Sequence, residues 1–229
     1  MIKLTNRLKM VANLAESREK VVDIGTDHAY LPVYLLQNKI FKTALACDIN
    51  EGPLKNAQET INKYELSDKI ITRLSDGLKE VNKNEADAVI IAGMGGILIS
   101  EILSSAEWLK NSDKQLVLQP MTHLYDVRKY LCENGFEILK EQTAKEGKRN
   151  YIAISARYSG KSNLRPEWYY YAGDLIYGNN QNDIDFCNKT IATLNKKYAA
   201  LKATTEFKEA EYLKNILEEI ENEKRKRNI

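Results

Sequence analysis

Over roughly the first 160 residues, short runs of β-branched and small apolar side chains alternate with segments of helical period. That alternation constrains the fold more than any other feature, because it builds a parallel sheet with helices on both faces. Residues 21–24, 43–48, 70–74, 88–92 and 115–119 read as five successive strands. Between them, Pro32 suits the first turn of a helix, and Gly52-Pro53 opens another with Leu54, Ala57, Ile61 and Tyr64 in register. An apolar helix passes through Ile102 and Leu103. The next passes through Val127 and Leu131 and stops at Asn134-Gly135.

The sheet has a distinctive ending. Residues 136–139 and 151–156 both read as strands, and the polar stretch 144–150 is too short to hold a crossover helix. The pair is therefore expected to be an antiparallel hairpin. Rossmann-like methyltransferase sheets end this way, whereas nicotinamide dehydrogenases continue with further βα units.

After Ser159-Gly160-Lys161-Ser162-Asn163 the pattern becomes helical. Ile184, Cys187, Ile191, Leu194, Tyr198 and Leu201 form a heptad seam. After a break near Thr204-Thr205, a second helix carries Ala210, Leu213, Leu217 and Ile220. Two antiparallel helices packed as a coiled-coil hairpin are expected.

Size and composition set outer limits. The 229 residues suffice for one α/β domain with a small appendage. Hydrophobic residues at 43% and charged residues at 29% exclude a disordered chain. No apolar run approaches the roughly 20 residues that span a bilayer. The first residues lack the apolar stretch of a signal peptide, so the cytoplasm is the expected location. Cys47, Cys132 and Cys187 lie far apart, which argues against a metal site or a disulfide framework. A net charge of +2 neither requires nor excludes a nucleic-acid partner.

Three strand ends carry acidic residues. Asp23-Ile24-Gly25-Thr26-Asp27-His28-Ala29-Tyr30 sits where the first strand turns into a helix, at the carboxyl edge where open α/β sheets bind ligands. The usual glycine-rich form of this loop would have glycines at positions 27 and 29 as well, and their absence weakens the match to a dinucleotide fingerprint. Here the carboxylates of Asp23 and Asp27 would repel a pyrophosphate and attract a cation. S-adenosylmethionine, with its sulfonium and ammonium, fits better than a nicotinamide cofactor. Asp48, followed by Ile49, lies 23 residues after Gly25 and suits two ribose hydroxyls. Asp76-Gly77 ends the third strand, where a carboxylate can accept from an adenine amino group. An acidic turn with no ligand remains the alternative for each residue alone, but three together look like a nucleoside cradle.

Ala92-Gly93-Met94-Gly95-Gly96 follows the fourth strand. Its glycines leave room for a flat base, on which Met94 can pack; a turn needed only for close packing is the alternative. The Asn/Asp-Pro-Pro-aromatic motif of enzymes that methylate the adenine amino group is absent. His28 lies within reach of donor or acceptor, and His123 follows the fifth strand. Gln119-Pro120 can frame the acceptor pocket. Arg7, Lys145, Lys148 and Arg149 can meet phosphates if the first helix and the hairpin turn flank one cleft, with Asn150 and Tyr151 near the base.

Together these segments resemble the bacterial tRNA adenine-22 N1-methyltransferases, the TrmK family. The resemblance rests on Arg7 with Leu8 to Ala15, on residues 22–32, and on Asp48-Ile49-Asn50, Ser75-Asp76-Gly77, residues 91–96, Gln119-Pro120 and Asn150-Tyr151. Gly-Thr-Asp-His-Ala-Tyr and Gly-Met-Gly-Gly are its most specific pieces. It implies an α/β, Rossmann-like catalytic domain over residues 1–160 and a helical coiled-coil domain over 161–229, expected to bind tRNA. It also implies S-adenosylmethionine as cofactor, no metal, and methyl transfer to adenine N1. Asp23, Gly25, Thr26, Asp27, His28, Asp48, Ile49, Asp76, Gly77, Ala92 and Gly93 would hold the donor. Arg7, Gly95, Gln119, Pro120, Lys148, Arg149, Asn150 and Tyr151 would hold tRNA. Asp27, His28 and Met94 would lie at the reacting atoms, with Asp27 stabilising the methylated cation. A monomer is expected, with a dimer through the C-terminal helices left open. A methyltransferase acting on rRNA, DNA or a small molecule, a nicotinamide oxidoreductase, and a non-enzymatic RNA-binding protein remain the competing readings.

Overall fold

A computed structural model describes residues 1–227 of the chain. The chain divides into two compact units, Met1–Asn163 and the part from Leu164 onward.

The first unit is built on seven strands: β1 (Lys20–Ile24), β2 (Thr43–Asp48), β3 (Ile70–Leu74), β4 (Ala88–Gly95), β5 (Gln115–Thr122), β6 (Phe136–Glu146) and β7 (Arg149–Tyr158). Their order in the sheet is β3-β2-β1-β4-β5-β7-β6. The first five run parallel, and β7 and β6 complete the sheet antiparallel. The central strands are buried on both faces, as parallel strands under helices must be. Val21, Ala44, Ala46, Ala88, Ile90 and Val117 point to one core, shared with α1 (Asn6–Leu14), α2 (Tyr30–Gln37) and α3 (Glu51–Lys63). Val22, Ile24, Leu45, Val89, Ile91 and Leu118 point to the other, shared with α4 (Gly96–Ser104) and α5 (Leu124–Glu133).

The strands run further than the sequence pattern indicates. β4 continues through Gly93-Met94-Gly95, so the glycine run is strand rather than loop, and only Gly96 enters the helix. β5 continues through Pro120. Its pairing with β7 ends at Leu118↔Ile154, so beyond that point only β4 flanks it and the missing proline N–H breaks no ladder. The terminal hairpin has a two-residue turn, Gly147-Lys148, which places Lys145, Arg149 and Asn150 on strands instead of in a long turn. An extra residue, Leu139, bulges from β6 between Ile138↔Ala156 and Lys140↔Ser155. Between α5 and β6, Arg128 and Glu141 form a buried two-pronged ion pair at 2.7 and 3.1 Å.

The second unit contains α6 (Glu167–Ala172), a 3-10 turn (Gly173–Tyr177), and two long helices, α7 (Gln181–Lys202) and α8 (Phe207–Arg227). Cys187, Leu194 and Leu201, seven apart, are buried, while the alternating Ile184, Ile191 and Tyr198 are only half-buried. On α8, Ala210, Leu213, Ile216, Leu217 and Ile220 are buried. All three cysteines are buried and none is in a disulfide. Among the described residues no helix is long and apolar enough to cross a membrane.

Candidate active site

The carboxyl end of β1 is a loop of alternating handedness. Gly25, Asp27 and Ala29 take positive φ values of 76°, 50° and 53°. Positions 27 and 29 are where the usual glycine-rich form of this loop would carry glycine, so the backbone takes the positive φ of that form with larger residues in place. A left-handed alanine costs on the order of 1 kcal/mol, and aspartate tolerates the conformation better. The backbone N–H groups of Gly25 and Thr26 both donate to Cys47 O at 2.9 Å, which ties the loop to the end of β2.

This loop forms one wall of a cavity of 250 Å³. Asp23, Gly25, Thr26, Asp27, His28, Tyr30 and Leu31 line it on one side, Thr5, Arg7 and Leu8 on the other, with Ala92 between. Arg7 is the one lysine or arginine in the lining. Its Nη1 donates to Gln119 Oε1 at 2.7 Å, its backbone N–H donates to Glu146 Oε2 at 3.1 Å, and its guanidinium lies 6.0 Å from the centre of the Tyr151 ring. Gln119 is fully buried and also donates to Pro120 O at 2.9 Å.

Asp23 is 4% exposed. Burial pushes its carboxyl up to about 6; the nearby Thr26 hydroxyl pulls it down, the Asp48 charge raises it, and Arg7 lowers it. The Thr26 hydroxyl is itself buried and makes no hydrogen bond of normal geometry. A buried carboxyl and an unsatisfied hydroxyl at the mouth of a cavity are groups that gain from a cationic, hydrogen-bonding ligand.

Asp48 ends β2 and Asp76 lies two residues beyond β3, both outside the lining of that cavity. Asp48 Oδ1 accepts from the Asn50 N–H at 2.9 Å, and Ile49 beside it is 59% exposed. Asp76 Oδ2 accepts from Lys79 Nζ at 2.5 Å, leaving its other oxygen free of that bond. Gly77 has φ of 58°, and a Cβ there would fall 2.9 Å from Ile102.

The glycine run of β4 divides its tasks. A Cβ on Gly93 would lie 3.2 Å from Arg7 Nη1, so the space above it holds that guanidinium. A Cβ on Gly96 would lie 2.2 Å from His123 O, so this glycine permits close packing of α4 on the end of β5. Gly95 is not crowded in this way. Met94 is half-buried against the second core, its methyl over Gly25.

His28 stacks on Tyr30, ring centres 5.0 Å apart and 10° from parallel, with Nε2 3.7 Å from Asp27 Oδ1. His123 lies at the start of α5, Nδ1 3.3 Å from Asp126 Oδ2. Lys148 and Arg149 are exposed at the hairpin tip, with Asn150 half-buried beside them.

The structure thus gathers Arg7, Asp23, Gly25, Thr26, Asp27, His28 and Ala92 around one cavity. Asp48, Ile49, Asp76 and Gly77 lie beyond it at neighbouring strand ends. Thr5, Leu8, Tyr30 and Leu31 also line it, and Glu146 holds the Arg7 backbone from outside the lining; sequence reading gave none of them a role in the site. Thr5 had a legible signal, a threonine preceding a helix start. Glu146 had none, because its contact joins residues 139 positions apart.

Comparison with known proteins places these features in context. The tRNA (adenine(22)-N(1))-methyltransferase of Bacillus subtilis (strain 168) is 36% identical over 155 residues, covering 68% of this chain. The alignment covers 65% of that enzyme, so the chain spans just under two thirds of its length there. The crystal structure of the B. subtilis m1A22 tRNA methyltransferase TrmK superposes with a TM-score of 0.80 at 28% identity, covering 98% of this chain and 97% of that one. M. capricolum TrmK, solved in complex with S-adenosyl-homocysteine, superposes with a TM-score of 0.80 at 29% identity over 96% of both chains. A family model described as a methyltransferase domain matches residues 4–154, from the start of the cavity wall to the last strand of the sheet, and the chain belongs to that methyltransferase family.

Proposed function

We propose that this protein transfers a methyl group from S-adenosylmethionine to N1 of adenine 22 in tRNA, in the cytoplasm and as a monomer. The observation that carries the reading is the cavity itself. Two carboxylates, Asp23 and Asp27, face it together with a single guanidinium, Arg7, and this pattern is complementary to an amino acid's ammonium and carboxylate. The activity of the Bacillus relative and the S-adenosyl-homocysteine bound by the M. capricolum relative support the choice of acceptor and donor.

The residues present fit the donor. Asp23 and Asp27 suit its ammonium, and Arg7 suits its carboxylate, a closer role for Arg7 than the phosphate contact expected from sequence. Gly25 keeps the backbone low beneath it. Asp48 suits the ribose hydroxyls, with Ile49, Asp76 and Gly77 at the adenine. S-adenosylmethionine, when bound, supplies an electrophilic methyl on a sulfonium.

The rest of the chemistry is positioning. Adenine N1 carries an in-plane lone pair and no proton when neutral, so it attacks without a general base. The chain must hold N1 in line with the methyl–sulfur bond. Positive charge passes to the methylated base, where Asp27, with His28 Nε2 3.7 Å away, can stabilise it. N1 is engaged when adenine pairs, so the base must first be exposed. Gly95, Gln119, Pro120, Asn150 and Tyr151 frame the acceptor side, while Lys148 and Arg149 meet phosphates. The second unit grips the tRNA backbone.

Incubation with labelled donor and unmodified tRNA, followed by mapping of the product nucleoside, tests this. N1-methyladenosine at position 22, absent when that adenine is replaced, is expected. Label on another nucleoside or another nucleic acid refutes the assignment.

A further inference from the structure

Glu146, the last residue of β6, reaches across to the start of α1. The first N–H groups of any helix lack partners within it. In α1 the Thr5 hydroxyl accepts only from the Leu8 N–H, at 3.4 Å. The Arg7 N–H goes to Glu146 Oε2 at 3.1 Å, and Asn6 Nδ2 donates to Lys145 O at 3.0 Å. The Arg7 N–H holds the Glu146 carboxyl below the usual carboxylate range against its partial burial, with help from Thr5, the Arg7 charge and the Asn6 backbone. A carboxylate at a helix N-terminus is also favoured by the helix dipole.

A cap supplied by the helix's own flank would stabilise α1 wherever it lay. A cap supplied by the terminal hairpin fixes where α1 begins. The residues so fixed are Thr5, Arg7 and Leu8, which form the wall opposite the β1 loop. We propose that Glu146 is a positioning residue for methyl transfer: it seats the first turn of α1 so that Arg7 lies against Gln119 and faces the donor. This rests on the reading that the cavity holds S-adenosylmethionine. Glu146 does not line the cavity and acts only through Arg7.

Glu146→Ala is expected to raise the KM for S-adenosylmethionine about 5- to 10-fold while kcat changes less than about twofold. Glu146→Gln, whose amide oxygen can still accept from the Arg7 N–H, is expected to recover most of the loss. Hydrogen exchange at the Arg7 and Leu8 amides is expected to speed up in the alanine variant and slow again in the glutamine variant. In an Arg7→Ala background, Glu146→Ala is expected to add nothing to the KM. An unchanged KM, or an equal penalty in the absence of Arg7, overturns the proposal. If the alanine variant does not fold, Glu146→Gln with and without Arg7→Ala carries the same comparison, expected at about twofold against none. If the unaltered protein fails to bind S-adenosylmethionine in calorimetry, the methyltransferase reading is what fails. Amide exchange in α1 then still reports whether Glu146 seats the helix.

Discussion

Met94 lays its methyl over Gly25, so closely that a Cβ on Gly25 would fall 2.4 Å from Met94 Cε. The fourth strand thus closes over the first beside the cavity, and the glycine has two reasons to be there: the contact and its φ of 76°. The contact is with the end of a flexible side chain, which can swing away. The backbone conformation cannot be relieved, so it dominates the cost. Gly25→Ala is expected to lower stability by about 1–2 kcal/mol, seen as a Tm drop of roughly 2–8 °C. Met94→Ala combined with Gly25→Ala should recover little of that. A double variant as stable as Met94→Ala alone would mean that the contact, not the backbone, sets the cost.

Asp23 makes stability depend on pH. Its carboxyl sits at about 6 in the fold against an ordinary value of 3.8, so the folded state binds the proton more tightly than the unfolded chain. Its contribution is most favourable below the ordinary value and is lost as pH rises towards 6, by roughly 3 kcal/mol at most. Asp23→Asn in the ligand-free protein is therefore expected to melt higher than the parent at pH 7–8, with the difference shrinking near pH 4. Saturating S-adenosylmethionine should stabilise the parent more than the variant. Melting differences that do not vary with pH would remove Asp23 as the titrating group.

Arg7→Ala separates two roles for one side chain. With the guanidinium against Gln119 and facing the cavity, donor affinity is expected to fall about tenfold or more in calorimetry, whereas tRNA affinity should change less than about threefold. The reverse ratio would return Arg7 to the phosphate contact that its sequence position suggests.

Asp48→Ala should weaken donor binding about tenfold or more if its carboxylate takes the ribose hydroxyls. It should also lower the titration point of Asp23, because the Asp48 charge helps to raise it. Carbon-detected NMR titration of the Asp23 carboxyl reads this directly. A fixed Asp23 titration with unaltered donor affinity would detach Asp48 from the site.

Removal of the chain from Leu164 onward should leave a folded, donor-binding unit, since Met1–Asn163 contains the complete sheet and both of its cores. Methylation of tRNA by this fragment is expected to fall by a hundredfold or more while thermal stabilisation by donor persists. Undiminished turnover would free the second unit from any part in holding tRNA.

The parallel strands were legible because each is a short run rich in apolar residues with a turn signal after it, and the central ones are buried on both faces. The hairpin was legible in kind but not in length. Leu139 is the reason: the bulge exchanges the two faces of β6, so Phe136 and Ile138 belong with one core while Ala144, also an even position, belongs with the other. A pattern of period two therefore breaks in mid-strand and looks like an end. The strand-end carboxylates and the β1 loop were legible as chemistry of a type set by position. The direction of Arg7 was not, because it depends on Gln119 and Glu146, residues 112 and 139 positions away.

The left-handed backbone at Asp27 and Ala29 narrows how this pocket can be re-engineered. Branched side chains such as valine or isoleucine clash with that conformation, so a campaign to admit a bulkier donor analogue would find the loop a poor place to introduce bulk. Glycine and asparagine are the compatible exchanges there, and variation of shape would have to come from Leu8 or Ala92 across the opening.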